Sequence, residues 1–400
     1  MNNELNREIN LKSILAFTLP SIFMMVVMSL YTIVDGIFVS RLINTNAFSA
    51  VNIIYPLMSI VIGLGTMFGT GTTAIVSRKL GEGRQKEANQ IVTFIILFLP
   101  FSLLQVQFQS LFVANGKPGT GLLVTLVSGL ANVFLDYYFI AVCNMGVAGA
   151  AVATGIGYFI AAVFGLYYFA RHREAPLHFV KPRASMQTLM RAMTNGSSEM
   201  VSNLSTSVTT FLFNIIMMRL IGPDGVAAIS ILLYLDFVLI AINLGYSIGV
   251  APVFSYNYGS GDCRKLKKLF RISLYFCTSV GVVMTAGTVL FADWLASVFS
   301  PAGSAVHALA ATGLRIFAVS YLFKGFSIFT SALFTAFGNG TLSAILSFMR
   351  TLILLVSAIL LFSSLFGITG VWSATPAAET IAFLLAAFLA WKYGKVYRYL

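Results

Sequence analysis

Long apolar runs alternate with short basic or glycine-containing segments along the whole chain. Eleven runs reach the roughly 20 residues that a bilayer crossing needs. They lie near 13–40, 49–77, 91–114, 118–142, 146–170, 192–218, 226–256, 272–292, 306–337, 341–363 and 370–391. In lipid only a helix or a closed barrel satisfies its own backbone, and runs this long and continuous fit helices. The pattern predicts an all-α polytopic membrane protein. Met1–Leu11 is polar and lacks a short apolar core with a cleavage site, so the first run is expected to stay as a transmembrane helix.

Composition agrees: 58% of the 400 residues are hydrophobic, 10% are charged, and mean hydropathy is +0.89. A soluble domain carries about 25% charged residues. The net charge of +12 raises nucleic acid as a partner, but the placement of the charges excludes it. Of the 25 basic residues, 20 sit before the first run, after the second, third, fifth and seventh, and at the end of the chain. By the positive-inside rule these segments and both termini are cytoplasmic, and the protein belongs in the cytoplasmic membrane. The partner is the lipid bilayer, and a monomer is expected. Cys143, Cys263 and Cys277 form no metal motif, and His172, His178 and His307 are expected to be solvated. With no nucleophile or metal constellation at membrane depth, neither an enzyme nor a resident cofactor is expected.

The chain repeats itself. Arg41-Leu-Ile43, Ala50, Gly71 and Gly81-x-Gly83 match Arg219-Leu-Ile221, Ala228, Gly249 and Gly259-x-Gly261 at an offset of 178. Leu111-Phe112 and Gly116 match Leu333-Phe334 and Gly338 at 222, and Gly146-x-x-Gly149 matches Gly367-x-x-Gly370 at 221. Two homologous lobes are expected, 1–170 and 192–400, joined by a basic cytoplasmic linker at 171–191. The second half holds six runs, so both lobes enter from the same side, a parallel repeat.

The offset lengthens from 178 to 222, so the first half lacks 44 residues between Gly83 and Leu111. Where the second half has two helices, only 91–114 remains. Basic residues Arg84, Lys86 and Lys117 flank it on both sides, which demands an even number of crossings. Pro100, with Gln105, Gln107 and Gln109 behind it, would suit a broken, re-entrant hairpin; a single crossing would force Lys117 outward.

Asn132 and Asp136 stand in the apolar run 118–142 at a spacing of four, on one helix face. An ionisable residue inside a membrane segment points to function. Asp35 is the second such acid of the first half, and Thr154 in the next run adds a hydroxyl. At the repeat offsets Asp35, Asn132 and Asp136 fall on Phe213, Leu354 and Ala358, so the set is private to one half. Two carboxylates, an amide and a hydroxyl suit a proton or a small hard cation. The second half carries Glu199, Asp236, Lys324, Arg350 and Glu379 in its apolar runs. They either pair with one another or line a substrate cavity.

Leu19-Pro20, Val34-Asp35-Gly36-x-Phe38-Val39, Gly81-x-Gly83, Gly116-Lys117-Pro118, Asn132-x-x-x-Asp136 and Gly146-x-Ala148-Gly149-Ala150-Ala151-x-Ala153-Thr154 form an ordered set. It resembles the multidrug and toxic compound extrusion (MATE) family of cation antiporters over essentially the whole chain. The resemblance implies twelve helices in two six-helix lobes around a cavity that alternates between the two membrane faces. It implies export of small amphipathic organic cations (drugs), driven by H⁺ or Na⁺ as coupling ion. The positions matching Asp35, Asn132, Asp136 and Thr154 form the cation site of proton-coupled members. Glu199 resembles an acid used by another branch, whose partner acid has no match here. The alternatives are a lipid-linked saccharide flippase of the same superfamily and a shortened, inactive paralogue.

Overall fold

The computed structural model describes residues 4–38, 45–183 and 185–400, with side chains at 4–30, 59–183 and 185–400. Among these the regular structure is helical: α1 (Leu11–Phe38), α2 (Thr45–Gly81), α3 (Gln85–Phe98), α4 (Phe101–Ala114), α5 (Pro118–Asp136) and α6 (Gly146–Arg171). After the linker come α7 (Met186–Leu220), α8 (Pro223–Ser260), α9 (Cys263–Leu290), α10 (Ala292–Ser297), α11 (Ala305–Phe317), α12 (Tyr321–Ala336), α13 (Gly340–Phe348) and α14 (Leu355–Gly394). α14 contains a break at Gly367, whose φ of 57° is open to glycine, so it is two spans in succession. Nine helices, this merged one included, are long and apolar enough to cross a membrane among the described residues.

The sequence repeat is a structural repeat. The matched glycine pairs Gly83/Gly261, Gly116/Gly338 and Gly146/Gly367 all take positive φ. The Gln109 amide donates to Thr125 at 2.9 Å, where the matching pair Ser331 and Ser347 bond at 2.9 Å.

One basic face collects the chain's Lys- and Arg-rich segments. Asn10, Ser185, Asp262 and Asn339 accept N–H groups in the first turns of α1, α7, α9 and α13 there. At the matching starts in the first half, α3 and α5 have Arg84 and Lys117 and no side-chain cap. Lys265 donates to Asn6, and Asn339 donates to the Tyr397 hydroxyl, both at 2.8 Å, so both ends of the described chain reach this face.

The run 91–114 is a re-entrant hairpin. α3 and α4 have 14 residues each, about 21 Å, too short to cross a core of about 30 Å. Pro100 breaks the helix because it has no N–H to give. The ends of the hairpin meet the same segment: Gln85, Asn89 and Thr93 of α3 and Asn115 after α4 all bond to residues 176–180 of the linker. At the turn, the Phe101 ring lies 5.9 Å from Phe159, near the middle of α6. Leu97, Phe98 and Phe101 are exposed there, as suits a tip in hydrocarbon. By the repeat offsets α3 and α4 match 263–276 and 323–336, so Leu99 and Pro100 stand in place of 277–322.

That substitution removes the counterparts of residues that build a core in the second lobe. One buried cluster near the basic face spans both halves of the chain. A second fills the far half of the second lobe around Trp372, Phe317 and Phe213, and nine of its 19 buried residues come from 277–322. The far half of the first lobe has no matching cluster among the described residues.

The two halves are joined where α2 crosses α7 and α1 crosses α8. Gly71 and Gly196 face each other with backbones in contact; a Cβ on either would strike the opposing chain. Gly71→Leu should therefore destabilise the purified protein by about 1–3 kcal/mol, read as a lower thermal midpoint. Gly287→Leu, with nothing within 4 Å, should leave the midpoint unchanged.

Candidate functional site

The Asn132/Asp136 pair of α5 sits in the far half of the first lobe. Asp136 is fully buried and Asn132 is 6% exposed, one turn apart on the face that meets α6. The contact is close because Gly157 of α6 packs on the Ser128 carbonyl and the Asn132 Cβ. There the Asn132 amide donates to the Thr154 hydroxyl at 3.4 Å. Immediately after Asp136 the helix widens into a π-helical segment, Tyr137–Val142, a feature often found at functional sites. The structure thus brings Asn132, Asp136 and Thr154 to one α5–α6 seam. Asp35 belongs to α1, and its side chain lies outside the described residues.

The second-lobe charges divide. Lys324 of α12 donates to Asp236 of α8 at 2.8 Å, with side chains 4% and 14% exposed. The ammonium also lies 5.0 Å from the Phe317 ring centroid, within cation–π reach. Arg350 donates to Glu379 at 3.2 Å. Glu199 borders a narrow cavity of about 40 Å³ between α2, α4, α7, α8 and α12. A cavity this size holds a few waters and no drug-sized ligand. Thr70, Thr73, Ser110, Ser247 and Thr335 supply its other polar lining, and the buried Thr73 and Ser247 hydroxyls have no protein partner. The other four charged residues do not border it. The cavity lies just inside the Gly71–Gly196 crossing, so the two halves are closed together on the basic side.

Sequence reasoning missed the hydroxyls at Thr70, Thr73 and Ser110. Their signal was the polar cluster Thr70-Gly-Thr-Thr73 within an apolar run. One histidine needs correction too: His178 is half-buried against the Asn89 amide, whereas His172 is exposed and stacks on Tyr168 at 4.2 Å.

The family model described as MatE matches residues 20–95 and 200–360, more than half of the chain. The chain belongs to the MatE family. Among curated proteins it is similar to Multidrug export protein MepA of Staphylococcus haemolyticus (strain JCSC1435), 25% identical over 95% of this chain and 93% of that protein. MepA of Staphylococcus aureus (strain MRSA252) is 23% identical with the same coverage. Among solved structures, MATE in complex with MaL6 superposes with a TM-score of 0.90 at 22% identity, covering 100% of both chains. The outward-facing conformation of a multidrug resistance MATE family transporter of the MOP superfamily gives 0.89 at 22% identity, covering 100% and 99%. The expected membrane fold and family are therefore right.

In this MatE protein the Lys324–Asp236 pair is buried enough to be tested alone. Lys324→Met should cost about 3–5 kcal/mol of stability by stranding a carboxylate, and adding Asp236→Leu should recover most of it. Thermal unfolding of the two variants in detergent measures both steps.

Proposed function

We propose that the protein is a secondary antiporter that exports amphipathic organic cations from the cell in exchange for H⁺, with the basic face cytoplasmic. The observation that carries the reading is the buried Asn132/Asp136 pair beside Thr154, inside the membrane segments of a MatE-family chain similar to multidrug export proteins. A carboxylate buried there is easily biased toward its protonated form, because a charge in low dielectric is expensive. A proton arriving from the far face would neutralise Asp136. The α5–α6 seam would then repack around a neutral acid, with the Asn132–Thr154 bond as its hinge. Release of the proton to the cytoplasm would restore the charged form, and Asp35 would share the load as the second carboxylate. Na⁺ fits the same oxygen donors and is the alternative coupling ion.

Asp136→Asn preserves shape and removes the titration. It should reach the membrane at normal levels and lose pH-gradient-driven efflux of ethidium from everted or intact vesicles. Full efflux by this variant would remove Asp136 from the mechanism. Efflux driven by a Na⁺ gradient alone would change the ion.

The absence of counterparts of 277–322 favours a second reading, a shortened chain that folds and does not transport. Inserting a copy of residues 277–322 in place of Leu99 and Pro100 separates the two. Efflux that appears only after insertion supports the inactive reading. A flippase for lipid-linked saccharides would need free cations in the cavity. Arg350 and Lys324 are engaged with carboxylates, which weighs against it.

A further inference from the structure

The linker carries a second feature that cation export does not use. Residues 176–180 lie along the hairpin and α6 as an extended strap. The Leu177, His178 and Val180 N–H groups donate to Asn115, Asn89 and Thr93 at 2.9, 3.2 and 3.0 Å. The Phe179 N–H donates to the Phe169 carbonyl at 3.0 Å, and the Gln85 amide donates to the Pro176 carbonyl at 3.0 Å. Within the strap the Leu177 side chain is fully buried. The strap fixes a basin of about 440 Å³, lined by Arg173, His178, Phe179, Val180 and Lys181.

The charge in this basin is unbalanced. Its cations Arg173 and Lys181 have no carboxylate within 4 Å among the described residues, nor do Arg171, Arg183 and Lys86, which do not line it. Glu174, the linker's acid, is exposed, outside the basin and unpaired. Acids are present nearby, yet Glu82 and Glu87 are engaged by Arg78, Lys79 and Arg84 at the α2–α3 turn. The strap is bonded to the last turns of α6 through Phe179 and Phe169, and that end of α6 exposes aromatic surface: Tyr167 is 63% exposed, and Phe164 is exposed one turn earlier. A site with free cations at the rim and lipid-facing aromatics alongside suits an anion that arrives within the bilayer.

We propose that this basin binds the phosphate of an anionic phospholipid headgroup. Arg173 presents a planar fork that can take two phosphate oxygens, and Lys181 adds a point charge. Phe179 and Val180 give the glycerol an apolar wall. Basic pockets at the membrane interface hold anionic headgroups by this chemistry. Occupancy would press the strap onto Asn89, Thr93 and Asn115, and so brace both ends of the half-depth hairpin. The proposal concerns lipid binding and stands apart from coupling at Asp136.

The test titrates the full-length protein in detergent with dioleoyl-phosphatidylglycerol or dioleoyl-phosphatidylcholine and counts bound lipid by native mass spectrometry. One phosphatidylglycerol should bind more tightly than phosphatidylcholine. Arg173→Gln with Lys181→Gln should weaken it roughly 30-fold, since each basic residue near an anionic lipid contributes about fivefold. Lys181→Arg should retain it. Arg264→Gln with Lys267→Gln, an equal loss of charge on the exposed start of α9, should leave it unchanged. Equal retention of the two lipids overturns the proposal, as does an equal loss in both double variants. Displacement of the lipid by inorganic phosphate at similar concentration would assign the basin to a soluble anion and overturn the lipid assignment.

Discussion

The rest of the first lobe depends on four hydrogen bonds. Gln85, Asn89, Thr93 and Asn115 tie both ends of the α3–α4 hairpin to one linker segment. A segment with both ends on one face must cross the membrane an even number of times. With 14 residues in each helix, it cannot cross twice. It therefore turns back inside, where Pro100 interrupts the helix and Leu97, Phe98 and Phe101 face hydrocarbon. Everything beyond that turn is affected. In the other lobe 277–322 supplies part of the buried cluster around Phe317 and Trp372, and the first lobe has no counterpart of that segment. Asn132 and Asp136 are held there by their seam with α6, through Gly157 and Thr154.

The membrane also explains how the remaining charges are arranged. A lone charge at this depth is costly, and a paired one is tolerated when its partner is well placed. Lys324–Asp236 and Arg350–Glu379 follow that rule, binding α12 to α8 and the π-helical segment after α13 to the second part of α14. Such pairs hold register more than they add stability. Glu199 differs by bordering a water-sized cavity beside the closed crossing of α2 and α7. The molecule thus separates charges that join helices from polar groups that line a water-sized cavity.

Much of this was legible in the sequence, because the bilayer imposes a length on every apolar run. Ten of the eleven runs became membrane helices or successive parts of one, and the eleventh was marked by Pro100 between two basic flanks. The repeat offsets located the deletion, and the glycine pairs with positive φ show why those glycines recur. Partner choice was not legible. Periodicity puts Lys324 and Arg350 inside helices, but it does not say that Asp236 and Glu379 face them. The strap at 176–180 was hidden for a similar reason. Its bonds run from backbone N–H groups to Asn89, Thr93 and Asn115, which read as ordinary polar residues at a helix end. Asn132, Asp136 and Thr154 were readable because isolated polar residues stand out in an apolar run. Asp35 was as readable, but its side chain lies outside the described residues.

The hairpin is tested most directly by accessibility of single cysteines to a membrane-impermeant thiol reagent, with Cys143, Cys263 and Cys277 replaced. Lys86→Cys and Lys117→Cys should both be labelled from the same face of sealed vesicles. Ser102→Cys, at the exposed turn, should resist the impermeant reagent from either face while reacting with a permeant one. Labelling of Lys86→Cys and Lys117→Cys from opposite faces, or of Ser102→Cys from the far face, would contradict a hairpin that enters and leaves on one side.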